Sequence, residues 1–245
     1  MSNQVVDIAA NLRDIRERMA GAAGRVGRQP GEISLVAVSK TIPVESILAA
    51  LEQGQIDFGE NRVEQAWRKF VDPQVSDSLT NLIGPDQTFR LHLIGPIQSR
   101  KAALAVACQP TLVHAVDRVK IARRLDRVAQ EAGALMNILL EVNVSGEMSK
   151  FGFAPERIEE SAREINSLSG LRISGLMTMP PFDPDPEMAR PHFAALRDLR
   201  DRLSQGLPEA DWHHLSMGMS HDFEVAIEEG ATIVRVGTAI FGSRL

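Results

Sequence analysis

The chain contains no tyrosine, which removes every mechanism built on a tyrosine acid or base. It has a single cysteine, Cys108, too few for an internal disulfide; one small core thiol fits a reducing, cytoplasmic setting. No apolar run is long enough to cross a bilayer, and no basic-then-apolar leader opens the chain, so no membrane segment is expected. The net charge of −5 supplies no general basic field for nucleic acid or acidic lipid. Lysine is scarce, with five residues (Lys40, Lys69, Lys101, Lys120 and Lys150) against twenty-two arginines. Only Lys40 closes a strongly apolar strand.

What is present is ordinary for a globular protein, 44% apolar and 24% charged over 245 residues, a length that suits one α/β barrel. Val5, Ile8, Leu12, Ile15 and Met19 recur at three- and four-residue spacing, so residues 3–23 are expected to form an amphipathic helix ended by Gly21 and Gly24. Strands are expected at 34–40, 56–61, 91–95, 112–116, 136–144, 173–178, 212–217 and 232–236. Helices are expected at 44–53, 62–69, 98–107, from the Asp117 N-cap to Glu131, from Pro155 to Leu168, and at 220–229. Another carries Met188, His192, Phe193, Leu196, Leu199 and Leu203 on one face. Residues 72–90 are polar and expected to be a loop with at most a short helix.

Eight apolar strands alternating with helices predict a parallel (β/α)8 TIM barrel in one domain, residues 1–245. A doubly wound sheet would want a Gly-rich fingerprint after the first strand, and Ser39-Lys40-Thr41 is not one. No full helix has room to follow the eighth strand, so the N-terminal helix is expected to pack between strands eight and one in its place.

In such barrels the chemistry sits at the C-terminal strand ends. Those ends carry Lys40, Asn61, His92 with Gly95, His114, Asn143 with Ser145, Met177 with Thr178, Ser216 with Ser220, and Arg235 with Gly237 and Thr238. A metal hydrolase would want paired histidines on strand one and an aspartate closing strand eight; neither is there, and no metal site is expected. His213 and His214, adjacent on a strand, are expected to face opposite sides. Lys40 either extends to water or is kept desolvated for nucleophilic attack on a carbonyl.

The turn Leu215–Ser220 (Leu-Ser-Met-Gly-Met-Ser) opens a helix with two hydroxyls, and strand eight exits into Gly237-Thr238. Loops after strands seven and eight are the usual phosphate cradle of this fold. Closing the barrel makes strand one their neighbour, so a ligand with a phosphate at one end and an aldehyde at the other bridges both. Pyridoxal 5′-phosphate (PLP) has that shape, with Lys40 as Schiff-base partner. Arg235, inside an apolar strand, needs a partner: a pyridine nitrogen to which it donates, or a carboxylate from another strand.

Seven motifs in order complete the reading: Val-Ala-Val-Ser-Lys at 36–40, Phe-Gly-Glu-Asn-Arg at 58–62, His-Leu-Ile-Gly-Pro-Ile-Gln-Ser-Arg-Lys at 92–101, Val-Asn-Val-Ser-Gly-Glu at 142–147, Gly-Leu-Met-Thr-Met at 175–179, Leu-Ser-Met-Gly-Met-Ser at 215–220 and Val-Arg-Val-Gly-Thr-Ala-Ile-Phe-Gly at 234–242. Together they resemble the pyridoxal phosphate homeostasis protein family, whose fold-type III barrel is similar to the N-terminal domain of alanine racemase. The resemblance implies that Lys40 carries the cofactor and that Arg235 approaches the pyridine nitrogen. It further implies that Ser216, Met217 (through its backbone), Gly237 and Thr238 hold the phosphate, with Asn61 near the ring. Leu91, Arg100, the order Glu64-Gln65 and the 72–90 loop depart from the family pattern. The implied function is to hold, buffer and deliver PLP, with PLP-dependent apoenzymes as recipients and the protein a monomer. Racemases of this fold use a tyrosine from an added β-domain, and both are missing here. A racemase with a substitute second base, or a cofactor-free Schiff-base aldolase, are the alternatives.

Overall fold

A computed structural model describes residues 6–75, 89–147 and 151–242. Eight parallel strands close on themselves in chain order: β1 (Ser34–Val38), β2 (Asp57–Glu60), β3 (Arg90–Leu93), β4 (Leu112–Val116), β5 (Met136–Glu141), β6 (Leu171–Met177), β7 (His214–Ser216) and β8 (Ile233–Val236). The closing seam pairs Val36 with Arg235 and Ala37 with Val236. Around them lie α1 (Ile8–Arg25), α2 (Val44–Glu52), α3 (Val63–Ala66, continued by a π turn, Trp67–Val71), α4 (Ala102–Ala107), α5 (Val119–Glu131), α6 (Ile158–Asn166), α7 (Arg190–Gly206), α8 (Phe223–Glu228) and α9 (Thr238–Phe241). This is the (β/α)8 barrel that the alternation predicts. No described helix is long and apolar enough to cross a membrane.

Strand alternation sorts the apolar residues into two cores. Val36, Leu112, Ala115, Leu139, Met177 and Ile233 fill the barrel interior. A larger set, from Leu12 to Phe241, seals the sheet against the helices.

The N-terminal helix takes the eighth outer position. Asp7 caps it by accepting from the Ala10 N–H at 2.9 Å, and Leu12, Ile15 and Met19 are buried, each such side chain stabilising by roughly 1.5–3 kcal/mol. Arg16 donates to the Gln53 carbonyl just past α2; Arg18 and Arg25 pair with Glu224 of α8 at 2.9 and 3.0 Å; Asn11 donates to Ile240 of α9. The helix runs through Gly21 and Gly24, where the spacing expects it to stop, because Ala22 and Ala23 are buried and Arg25 is anchored to α8.

β8 is followed by a helix of one turn, α9, not a full one. Three further expectations change. Asp117 is not an N-cap: its carboxylate is buried and takes both hydrogen bonds from Arg118. Pro155 lies in a turn, and α6 begins only at Ile158. Met188 sits exposed in a 3-10 turn before α7, which starts at Arg190 with Pro191 in its first turn. Of the expected 72–90 loop, residues 76–88 lie outside the described residues.

Candidate functional site

The C-terminal mouth holds a cavity of about 310 Å³, within the range of small-ligand sites. Lys40, Asn61, Arg235, Gly237 and Thr238, all expected site residues, line it together. Ser216 and Met217 do not.

Lys40 stands two residues beyond the end of β1, half-buried. The ladder runs on one residue, Ser39 N–H donating to the Gly59 carbonyl at 3.0 Å. Ser39 is then clamped: its hydroxyl donates to Glu60 Oε1 at 2.9 Å, and Lys69 donates to its carbonyl at 2.6 Å. The next residue, Thr41, has φ +62°, a left-handed conformation a β-branched residue adopts only under constraint. Its hydroxyl donates to the Lys40 carbonyl at 2.6 Å. A rigid turn therefore presents the Lys40 amine to the cavity. Lys69 is bound to Glu60 and Lys101 to Glu64, and Lys120 is exposed. The Lys40 amine has no hydrogen-bond partner among the described residues. Gly95 closes the other flank: a Cβ there would lie 2.4 Å from the Asn61 carbonyl oxygen, so only glycine lets the β3 exit pack against Asn61.

Facing Lys40, the turn after β7 meets the start of α9. Gly218, at φ +91° with Ala226 only 2.6 Å from where a Cβ would be, reverses the chain and brings Ser220 to the cavity. The Ser220 hydroxyl accepts from the Gly237 N–H at 3.3 Å. Thr238 beside it leaves its hydroxyl without a partner among the described residues. Ser216 is instead fully buried beneath Arg235, whose Nη1 donates to its hydroxyl. The Met217 N–H is used in the sheet, donating to the Ile233 carbonyl at 3.1 Å. Of the two serines in this turn, Ser220 is the one at the mouth.

Arg235 is 4% exposed. Its second nitrogen donates to the Thr178 carbonyl at 3.0 Å. Burial draws the guanidinium down to about 10, opposed by Glu141 and Asp222, so it stays charged at neutral pH. Neither carboxylate touches it. The rim adds residues that the strand ends do not foretell: Asp183, Asp185, His221 and Asp222 line the cavity. The three carboxylates each accept a backbone N–H within their own turn. His221 Nε2 lies 2.9 Å from the Pro184 carbonyl, which only accepts, so this ring nitrogen is the donor. His92 and His114 lie inside the barrel rather than at its C-terminal mouth. His213 precedes β7, so alternation does not separate it from His214, and the two rings meet edge to face at 4.8 Å.

The alanine racemase N-terminal domain family matches residues 6–245. The chain is 43% identical over 239 residues to a pyridoxal phosphate homeostasis protein of Pseudomonas aeruginosa, covering 97% of this chain and 96% of that one. It is 40% identical over 233 residues to the protein of the same name from Aquifex aeolicus, covering 95% and 96%. Among solved structures it superposes on PipY of Synechococcus elongatus, a structure with PLP bound, with a TM-score of 0.81 at 33% identity over 96% of this chain and all of that one. The chain belongs to the pyridoxal phosphate homeostasis protein family, a branch of the alanine racemase N-terminal domain fold.

Proposed function

We propose that the cavity binds PLP and that the protein holds, buffers and delivers this cofactor. The observation that carries the reading is the Lys40 amine, unpaired among the described residues, sharing one cavity with the hydroxyls of Ser220 and Thr238 and the backbone of Gly237. The donor set fits the cofactor: an amine for its aldehyde, hydroxyls and backbone for its phosphate, and a donor-only guanidinium for its pyridine nitrogen. PLP supplies an aldehyde that condenses with amines and a ring that withdraws electrons when its nitrogen is protonated. Arg235 has no proton to lose at neutral pH and can only donate to that nitrogen, which keeps the ring a weak electron sink. Asn61 borders the ring position. Ser216 acts by holding Arg235, and Met217 by pinning the turn.

This arrangement suits a carrier better than a racemase, which needs a base on each face of the α-carbon. Lys40 is one; the rim aspartates are engaged in their own turns. Exposed Phe182, on the rim, would meet apoenzyme recipients. We place this single-domain protein in the cytoplasm as a monomer.

Titration with PLP and with pyridoxal, followed by absorbance and equilibrium dialysis, tests the reading. One PLP per chain is expected, with far weaker uptake of pyridoxal and loss of covalent capture in Lys40→Ala. Absence of saturable PLP uptake would overturn it. Lys40-dependent exchange of the alanine α-proton in heavy water, at rates typical of enzymes, would replace the carrier with a racemase.

A further inference from the structure

Beneath the cavity the barrel interior carries a line of buried polar side chains, one from each of five strands. Arg235 Nη1 of β8 donates to Ser216 Oγ of β7 at 2.5 Å. Ser216 Oγ lies 2.8 Å from His114 Nδ1 of β4. His114 Nε2 lies 2.9 Å from His92 Nδ1 of β3, and His92 Nε2 lies 2.9 Å from Asp57 Oδ1 at the start of β2. Every member is at most 6% exposed. The line thus crosses the barrel from the ligand cavity to a second cavity of about 260 Å³ at the opposite mouth, which Asp57, Arg90 and His92 line.

Its two ends dictate its sense. A guanidinium only donates and a carboxylate only accepts. Ser216 Oγ therefore accepts from Arg235, and among the described residues its own proton has one acceptor in reach, His114 Nδ1. Burial holds the His114 ring well below the usual imidazole range, so the ring is neutral and its one proton sits on Nε2, facing His92 Nδ1. That nitrogen must accept, which leaves the His92 proton on Nε2 for Asp57. Each link then has one donor and one acceptor, and the links polarise one another in the same direction.

We infer that Asp57, His92, His114 and Ser216 are positioning residues for Arg235, joined in one hydrogen-bond chain of a single sense that fixes both imidazoles as Nε2–H tautomers. The chain and the Thr178 carbonyl occupy two of the five guanidinium donors, holding the others at the cavity wall. Only the consequence for cofactor grip rests on the proposed function.

Long-range ¹⁵N–¹H spectra of the cofactor-free protein test the chain without any variant. Both His92 and His114 should show the Nε2–H tautomer; a proton on His114 Nδ1, or a doubly protonated His92, would overturn the inference. Asp57 stands at the far mouth and lines no part of the ligand cavity, so its variants separate positioning from contact. Asp57→Leu should mix the tautomers, speed exchange of the Arg235 guanidinium protons, and weaken PLP binding on the order of tenfold. Asp57→Asn keeps an acceptor oxygen and should restore all three. Arg90→Gln, which removes the other partner of Asp57, should leave them unchanged. Unaltered guanidinium exchange and PLP affinity in a folded Asp57→Leu protein would overturn the positioning role. If the wild type takes up no PLP, the proposed function fails, while tautomers and guanidinium exchange still decide this inference.

Discussion

Replacing Lys69 with methionine should destabilise the protein by about 3–5 kcal/mol, the cost typical of breaking a buried ion pair by removing one partner. Glu60 is fully buried and Lys69 is 14% exposed at its side chain, with Nζ 2.8 Å from Glu60 Oε1. The same carboxylate oxygen takes the Ser39 hydroxyl, while Oε2 has no partner among the described residues. Without the ammonium, the charge would rest on one neutral hydrogen bond in a dry site. Urea unfolding at neutral pH measures the loss. The double variant Glu60→Gln/Lys69→Met removes the stranded charge and should recover about 2 kcal/mol of it, the coupling expected of groups in direct contact. Because Lys69 also holds the Ser39 carbonyl, one residue from Lys40, PLP uptake should weaken in Lys69→Met. A loss below about 1 kcal/mol, the range of exposed pairs, would show instead that water reaches Glu60 and that the pair is not buried.

Glu141 and Cys108 give two further tests. Burial first, then the neighbouring Asp117 charge, pushes the Glu141 carboxyl up to about 7, against the pull of Arg235. A raised folded value means that the native state binds more protons than the unfolded chain, so stability falls as pH rises from about 4.5 to about 7 and stays lower above it. Glu141→Gln should remove that slope, stabilising by about 3 kcal/mol above the window and changing little below it; pH-dependent thermal melts decide, and an unchanged slope contradicts the assignment. Burial pushes the Cys108 thiol up to about 12, so it should resist alkylation in the native protein and react promptly in urea; rapid native labelling would show an open core.

The strands, the barrel and most of the mouth were legible because they depend on local patterns. Short apolar runs, spaced by helices, leave few other architectures, and the strand ends bring Lys40, Asn61, Arg235, Gly237 and Thr238 to one face. What escaped depends on contacts between distant segments. Ser216 and Ser220 lie in one six-residue turn, and only the positive φ at Gly218 decides which hydroxyl reaches the cavity. Asp183, Asp185 and His221 arrive on turns with no periodicity to follow. His92 and His114 look like strand-end groups in the sequence; the register of β3 on β4 places them within hydrogen-bond reach inside the barrel. The first helix outran its glycines because docking on α8 outweighs a local stop signal.

The most direct measurement is borohydride reduction of the protein in the presence of PLP, followed by peptide mass spectrometry. One stable adduct per chain, confined to the peptide bearing Lys40 and suppressed by inorganic phosphate, is the expected result. Label distributed over Lys69, Lys101 and Lys120, or indifferent to phosphate, would contradict a site in which one amine and one anion seat act together.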